Sequence, residues 1–168
     1  MDEFDAIDDH FASYAKLLME DPSARFGALR NCSFFRPVSN EWLQRISEMA
    51  QIKTFHSDVC VTSQEDDMKA FYVILYGEAE AFRSGKLVGT IETGDCFGEG
   101  IFFTDGTMTT SATVIADDKI IVAEFSKTVI EALRSDPHAM VSMDKALLLA
   151  LFKKLMDANR KIESLMLM

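Results

Sequence analysis

The sequence predicts a mainly β domain with helices at both ends, built as a sandwich, jelly roll or β-roll. Apolar residues recur at helical spacing in residues 3–20, at every second position from residue 51, and at helical spacing again after residue 126. The middle of the chain holds many short apolar runs at near-even spacing, which is typical of closed or two-sheet β architectures. A heptad pattern near the end predicts one long helix there.

Two amphipathic helices are expected before the strands. The apolar face of the first one collects Phe4, Ile7, Phe11, Tyr14 and Leu18. This helix should end near Asp21, because Pro22 disfavours helical backbone in the residue before it. Ser39 is the expected N-cap of the second helix. The buried face of that helix collects Trp42, Leu43 and Ile46.

Short strands separated by turn residues are expected from residue 51 to residue 125. Their apolar positions are Phe55, Val59, Val61, Phe71, Val73, Leu75, Ala79, Ala81, Leu87, Val88 and Ile91. Ser84 and Gly85 predict a hairpin turn. Two further strands, residues 112–115 and 120–125, flank a polar turn at Asp117 and Asp118.

The last part of the chain is predicted to be helical again. Ser126 is expected to cap a helix over residues 127–133, and Asp136 followed by Pro137 is a strong start signal for the final helix. The heptad positions of that helix are Val141, Leu148, Leu151, Leu155, Ala158, Ile162 and Leu165, with Asp144 as the polar exception. Because this stripe is longer than a small β domain can cover, it predicts dimerisation. The expected division is an N-terminal helical segment (1–30), a β domain (31–135) and a C-terminal helix (136–168).

Composition excludes several classes of function. A net charge of −10 argues against binding to nucleic acid or to anionic membranes, both of which need clustered Lys and Arg. The longest unbroken apolar run, residues 146–152, is too short to span a bilayer. Three cysteines, spaced singly, fit a reducing cytosol and predict no zinc or iron–sulfur site. His10, His56 and His138 are isolated, so neither a metal site nor an enzyme of the metal-binding roll type is expected.

The stretch from Gly94 to Val114 has the pattern of a loop that holds an anion. Glycines stand at positions 94, 98, 100 and 106, Glu99 lies inside a Gly-Glu-Gly triplet, and the stretch contains neither Lys nor Arg. Such a turn at the start of a short helix leaves unpaired N–H groups and the positive end of the helix dipole directed at a ligand. Glycines without Cβ atoms let that ligand approach the backbone closely.

Three stretches resemble the cyclic-nucleotide-binding domain family: AFYVILYGEAEAF (70–82), IETGDCFGEG (91–100) and SATVIADDKIIVAEFS (111–126). The second is the most specific, because its glycines, Phe97 and Glu99 must fall at set offsets. The similarity covers roughly residues 28–160. It implies a double-stranded β-helix, that is a β-roll or jelly roll, with N-terminal helices and a long C-terminal dimerisation helix. In the family that helix also closes over the base, which makes residues 145–152 candidates for base contact.

The resemblance also implies a ligand and its contacts. The ligand would be cAMP, cGMP or a related small anion, with no other cofactor. Glu99 would accept a hydrogen bond from the ribose 2′-hydroxyl, and the amides of Gly98, Gly100 and Ile101 would meet the cyclic phosphate. The implied binding residues are therefore Phe97, Gly98, Glu99, Gly100, Ile101, Thr109, Thr110 and Ser111.

One departure from the family concerns the arginine that pairs with the phosphate. Aligning on Ser111 places Thr110 at its position, and shifting the gap by two residues places Met108 or Thr109 there. No alignment recovers a cation, because the nearest basic residues along the chain are Lys86 and Lys119. Loss of a charge-assisted contact costs about 1.5–3 kcal/mol, or about ten- to a hundred-fold in affinity. Three consecutive hydroxyls, of Thr109, Thr110 and Ser111, are the expected substitutes.

Two functions remain open from the sequence. The first is a non-enzymatic sensor that binds a cyclic nucleotide, forms a homodimer through its last helix and signals to an effector domain or protein downstream of residue 168. The second is a ligand-free scaffold that keeps the fold, fills the pocket with side chains such as Phe102, Phe103 and Met108, and dimerises a partner.

Overall fold

The computed structural model describes residues 3–104 and 108–168. The side chains of Phe4 and Ile7, predicted for the first apolar face, and Gly106 of the loop lie outside that description. The helices are α1 (Glu3–Glu20), α2 (Pro22–Asn31), α3 (Asn40–Met49), α4 (Lys127–Arg134) and α5 (Pro137–Met166). The strands are β1 (Gln51–Phe55), β2 (Cys60–Thr62), β3 (Ala70–Tyr76), β4 (Ala79–Arg83), β5 (Lys86–Ile91), β6 (Cys96–Phe97), β7 (Thr113–Ala116) and β8 (Ile120–Ser126).

The strands form two antiparallel sheets, which confirms the β-roll prediction. One sheet has the order β1-β8-β3-β6 and the other the order β2-β7-β4-β5. Consecutive strands alternate between sheets in several places, so the chain winds back and forth across the roll. The hairpin β4–β5 turns at Ser84 and Gly85, which both have positive φ angles, as the sequence predicts.

Strand β3 is buried on both faces, and this arrangement gives the protein two cores. Phe71, Val73 and Leu75 pack against the helices, where rings of Phe34 and Phe71 lie 5.1 Å apart. The other face of β3 packs inside the roll. The inner core consists of Ala70, Tyr72, Ile74, Ala79, Phe97, Val114, Ala116, Ile120 and Val122. Burial on both faces explains why β3 reads as a continuous apolar run rather than as an alternating strand.

The predicted helix caps are present. Ser39 and Ser126 each accept a hydrogen bond from the third residue of their helix, and Asp136 accepts from the amides of His138 and Ala139. Helix α1 ends at Glu20, as predicted, but α2 begins at once. Asp21 caps α2 with Pro22 at its first position, the same Asp-Pro signal that starts α5.

Helix α5 contacts the rest of the protein mainly through its first half. Ala139, Met143, Ala146 and Leu147 are buried against the core. The six large apolar heptad residues are 37–72% exposed. They are Val141, Leu148, Leu151, Leu155, Ile162 and Leu165. The heptad stripe therefore does not cover the protein's own roll. In the described part of the chain, no helix combines the length and hydropathy that a bilayer span requires.

Candidate functional site

The Gly-Glu-Gly triplet forms a tight turn that only glycine permits at its first position. Gly98 has φ +76°, and a Cβ atom there would lie 2.6 Å from the carbonyl oxygen of Ala70. The next residues form a short 3-10 helix, Glu99–Phe102, called here the 3-10 turn. A Cβ atom on Gly100 would lie 2.6 Å from the terminal methyl of Met68. Gly98 is therefore required by its backbone conformation and by the Ala70 carbonyl, whereas the Met68 methyl is the end of a flexible side chain that can move away from Gly100.

The amides of the turn are partly committed to the turn itself. Ile101 donates its N–H to the Gly98 carbonyl at 3.2 Å, and Phe103 donates to the Gly100 carbonyl at 3.0 Å. The first N–H groups of any helix have no partner in the preceding turn. An anion at this end would accordingly meet the amides of Glu99 and Gly100. The predicted contact of the Ile101 amide with a phosphate would require that N–H to be shared between the phosphate and the Gly98 carbonyl.

Glu99 is held by a lysine that sequence reasoning missed. The ammonium of Lys154, on α5, lies 2.6 Å from Glu99 Oε1 and 2.9 Å from the carbonyl oxygen of Cys96. The Glu99 side chain is 13% exposed and that of Lys154 is 43% exposed. Along the chain the nearest cations are Lys86 and Lys119, but folding brings Lys154 to the motif. A heptad analysis ranks residues by apolarity and gives no sign that this lysine faces the roll.

Two neighbouring lysines attach the same helix to the roll. Lys153 donates to both carboxylate oxygens of Asp95, at 2.8 and 3.1 Å, and this hydrogen bond raises the pKa of Lys153. Lys161 donates to the carbonyl oxygen of Val88. The polar face of α5 is thus joined to β5, to β6 and to the 3-10 turn. These contacts lie just beyond residues 145–152, the range that the family resemblance suggested.

The predicted hydroxyls lie in a loop tied to an acidic segment. Thr110 donates its amide to the Asp66 carbonyl at 2.8 Å, and its own carbonyl accepts from the Glu65 amide at 2.9 Å. The Thr109 hydroxyl donates to the Glu65 carboxylate at 3.5 Å. Thr110 is half-buried, whereas Thr109 and Ser111 are exposed. The surroundings of these hydroxyls therefore contain the Glu65 carboxylate.

One short segment places both halves of the predicted site near each other. Asp66 contacts Thr110, Met68 lies over Gly100, and Ala70 adjoins Gly98. Residues 66–70 span at most about 14 Å even when fully extended. The 3-10 turn and the Thr109–Thr110 loop consequently contact the two ends of one short segment at the entrance to β3, although the sequence separates them by some ten positions.

Phe97 lies in the inner core of the roll. Its ring stacks on that of Tyr72, with centroids 4.8 Å apart and an angle of 11° between planes, and it is 4% exposed. Burial, together with the nearby Glu124, raises the pKa of Tyr72 to about 12. The ring of Phe97 thus fixes the strand that precedes Gly98.

The aromatic plug expected for a ligand-free scaffold is not formed by the residues proposed for it. Phe102 is buried on the helix side of β3, where its ring lies 5.2 Å from that of Phe71. Phe103 and Met108 are 55% and 58% exposed. That detail of the scaffold prediction is wrong, because the 3-10 turn directs Phe102 away from the roll interior.

A cavity of about 320 Å³ lies between α5 and the roll, next to the Glu99–Lys154 pair. Its walls include Phe34, Ile91, Asp95, Leu149, Lys153 and Lys154. This volume is at the lower end of the range for small-molecule sites. The part of the chain that the structure describes contains no group of three or more His, Cys, Asp or Glu residues arranged to hold a metal ion.

Comparison with known proteins gives the same assignment from sequence and from structure. The family model described as cyclic nucleotide-binding domain matches residues 52–136, half of the chain. The cAMP-dependent protein kinase regulatory subunit of Schizosaccharomyces pombe is 32% identical over 110 residues, which are 60% of this chain and 26% of that protein. The chain thus matches about a quarter of the length of this relative.

Solved structures share the fold at low sequence identity. A cyclic nucleotide-binding domain from Methylobacillus flagellatus superposes with a TM-score of 0.71 at 19% identity, covering 83% of each chain. The structure of cAMP-bound PfPKA-R superposes with a TM-score of 0.70 at 13% identity, covering 86% of this chain and 48% of that one. Together with the family match over the turn and both sheets, these findings show that the chain belongs to the cyclic nucleotide-binding domain family.

Proposed function

We propose that this chain is a regulatory sensor that binds a cyclic mononucleotide, cAMP or cGMP, and passes the signal through its C-terminal helix to an effector. The observation that carries the proposal is the turn at Gly98. Its left-handed backbone, its contact with Ala70 and the carboxylate that follows it match the requirements of a ribose–phosphate site within a family-matched domain. The relative named as a kinase regulatory subunit supports a regulatory rather than a catalytic role.

Glu99 is the proposed partner of the ribose. Its side chain is mostly buried and contacts the ammonium of Lys154 on α5, so it lies at the boundary between the roll and that helix. The contact with Lys154 uses Oε1, which leaves Oε2 to accept a 2′-hydroxyl. The amides of Gly98 and Gly100, with the hydroxyls of Thr109, Thr110 and Ser111, are the proposed donors to the phosphate. Phe97 and Ile101 support them from the core.

The heptad stripe supports the proposal of a homodimer. Helix α5 packs against the rest of the chain through Ala139, Met143, Ala146 and Leu147. The heptad stripe is exposed and has no partner among the described residues. A continuous apolar stripe at a/d spacing on a helix of 30 residues is the pattern that a second identical helix covers. Exposed apolar area of this extent is typical of an interaction surface.

The same helix connects the site to the output. Lys154 holds Glu99, and Lys153 holds Asp95, so a ligand that alters these contacts alters the attachment of α5. A ligand shifts a conformational equilibrium only through different affinities for the two states. The effector is proposed to be a separate protein or a linked domain.

The division into residues 1–30, 31–135 and 136–168 stays a prediction. A reducing, cytoplasmic location also stays a prediction, and the unpaired state of Cys32, Cys60 and Cys96 supports it.

A thermal-unfolding titration tests the proposal. Ligand at about 100 times its dissociation constant should raise the free energy of unfolding by about 2.7 kcal/mol. Cyclic AMP and cyclic GMP are the probes, with 5′-AMP as the acyclic control. Glu99→Ala should remove the shift, whereas Glu48→Ala, at an exposed position of α3, should keep it. Absence of any shift at millimolar cAMP and cGMP would favour the scaffold.

A gain-of-function variant tests the alignment at the missing arginine. Thr110→Arg returns a guanidinium to the position that the family resemblance assigns to the phosphate partner. It should tighten cAMP binding by about ten-fold or more, because charge-assisted hydrogen bonds are the strong ones. Ser111→Arg, one residue further, is the matched control. Equal affinity of the Thr110→Arg variant and the wild type would count against the alignment.

A further inference from the structure

The motif lacks a cation of its own, and the structure places one at its carboxylate. We propose that Lys154 supplies the positive charge that the stretch from Gly94 to Val114 lacks: when a cyclic nucleotide binds, the Lys154 ammonium contacts the cyclic phosphate while Glu99 accepts the ribose 2′-hydroxyl. This inference rests on the proposed function and names the phosphate-binding residue that the alignment could not find.

The donor geometry of the lysine fits this role. An ammonium has three N–H donors, and its two described contacts are Glu99 Oε1 and the Cys96 carbonyl. The 2′-hydroxyl and the 3′-oxygen of the cyclic phosphate are on neighbouring carbons of the ribose. A ribose bound to Glu99 therefore brings its phosphate beside the ammonium, where the third donor can reach a phosphate oxygen.

The charges around the loop make a local cation necessary. The Glu65 carboxylate contacts the Thr109 hydroxyl, so the hydroxyl side of the site carries a carboxylate of its own. The whole chain has a net charge of −10. A phosphate that met only hydroxyls, amides and this carboxylate would lose its hydration without a compensating ion pair. Lys154 balances the charge of the carboxylate that is proposed to bind the sugar.

The other lysines on this face of α5 are committed elsewhere. Lys153 binds both oxygens of Asp95 in a bidentate contact. Lys161 lies about two helical turns beyond Lys154 on α5, and it donates to the carbonyl oxygen of Val88. Lys154 alone among these three contacts the Gly-Glu-Gly triplet. Its side chain is also 43% exposed, so solvent and a small ligand can reach it.

The placement of this cation has a consequence for signalling. An arginine within the roll would bind phosphate wherever α5 lies, but a lysine on α5 can do so only when the helix is docked. Phosphate affinity and helix position are then linked through one side chain, and by reciprocity each must favour the other. Ligand binding is accordingly expected to hold α5 against the roll.

Substitutions that keep the hydrogen bond but remove the charge test the role. Lys154→Gln can still donate to Glu99, whereas Lys154→Arg keeps the charge; Lys153→Gln is the matched control on the adjacent residue. Calorimetric titration with cAMP should show about ten- to a hundred-fold weaker binding for Lys154→Gln. Lys154→Arg should stay within about three-fold of the wild type, and Lys153→Gln should weaken binding much less than Lys154→Gln, because it loosens α5 without removing the phosphate contact. The wild type should also lose affinity with added salt more steeply than Lys154→Gln does.

The outcomes separate this inference from the function on which it rests. No cAMP or cGMP binding by the wild type would overturn both. Wild-type binding with an equal affinity in Lys154→Gln would overturn the inference alone, and a higher affinity in that variant would show that the Lys154–Glu99 ion pair competes with the ligand. An equal loss in Lys154→Gln and Lys153→Gln would also overturn it, because undocking of α5 would then explain both.

Discussion

Lys154 and Glu99, 55 positions apart in the chain, meet with 2.6 Å between the ammonium and Oε1. The contact joins the C-terminal helix to the turn that carries the family motif. Its two members differ in exposure, since the carboxylate is mostly buried and the lysine is nearly half exposed. That difference determines how each residue contributes to stability in the absence of ligand.

Removing the lysine should cost more stability than removing the carboxylate. Lys154→Ala leaves Glu99 mostly buried without its cation, and an unpaired buried group costs about 1–3 kcal/mol. Glu99→Gln leaves a lysine that can turn to water, so it should cost less than about 1 kcal/mol. Urea unfolding of the ligand-free protein measures both. The reverse order would show that Glu99 does not depend on Lys154 for its charge.

The close approach at Gly98 predicts a large effect from a single methyl group. Gly98→Ala forces an L-residue into φ +76° and places its Cβ atom against the Ala70 carbonyl. Gly85→Ala is the matched control, because it has φ +74° and no heavy atom within 4 Å of the new Cβ. Both should lose about 1–2 kcal/mol from backbone strain. Overpacking should cost Gly98→Ala about 1–3 kcal/mol more. Equal losses would mean that the contact relaxes freely.

The exposed heptad stripe predicts a dimer that a charge should dissociate. Leu148→Glu or Leu155→Glu places a carboxylate at the centre of the proposed helix pair, where its desolvation is unfavourable. Ser164→Glu, off the stripe, is the control. Sedimentation equilibrium should give the dimer mass for the wild type and the control, and the monomer mass for both leucine variants. A monomeric wild type at tens of micromolar would contradict the assignment of the stripe.

Buried acids that stay neutral predict a loss of stability in alkali. Burial raises the pKa of Cys32 and of Cys96 to about 12, and that of Tyr72 also to about 12. Between the ordinary pKa of these groups and pH 12 the unfolded chain binds fewer protons than the native one. The free energy of unfolding should therefore be constant up to about pH 8 and fall above about pH 9, by at most about 1.4 kcal/mol per pH unit for each group. Denaturation from pH 7 to pH 11 measures it, and a flat profile would contradict the burial of these groups.

The fold was more predictable than the site because its signals are local. The change of hydrophobic period, the serine caps and the Asp-Pro start of α5 depend on neighbouring residues, and the structure confirms them. Helix α2 was missed although Asp21 and Pro22 carry the same signal as Asp136 and Pro137. Pro22 both disfavours continuation of α1 and begins α2, and α2 has only one buried apolar residue, Leu29, so no apolar stripe indicates a helix there.

The site depends on contacts that local sequence does not encode. The motif predicted the turn at Gly98, and its backbone conformation follows from glycine chemistry. The pairing of Lys154 with Glu99 depends on where α5 crosses the roll, and the position of Asp66 beside Thr110 depends on the path into β3. Both are properties of the tertiary arrangement, so a search for cations along the chain could reach only Lys86 and Lys119.

The hydrogen bond between the ribose and Glu99 can be measured by a cycle of two ligands and two proteins. Cyclic AMP and 2′-deoxy-cyclic AMP differ only in the hydroxyl that Glu99 is proposed to accept. Calorimetric titration should give the wild type a preference of about ten- to a hundred-fold for cyclic AMP, and should give Glu99→Ala nearly equal, weak affinities for the two ligands. The same preference in both proteins, or no binding of cyclic AMP to the wild type at millimolar concentration, would contradict the assignment of Glu99 as the residue that reads a cyclic nucleotide.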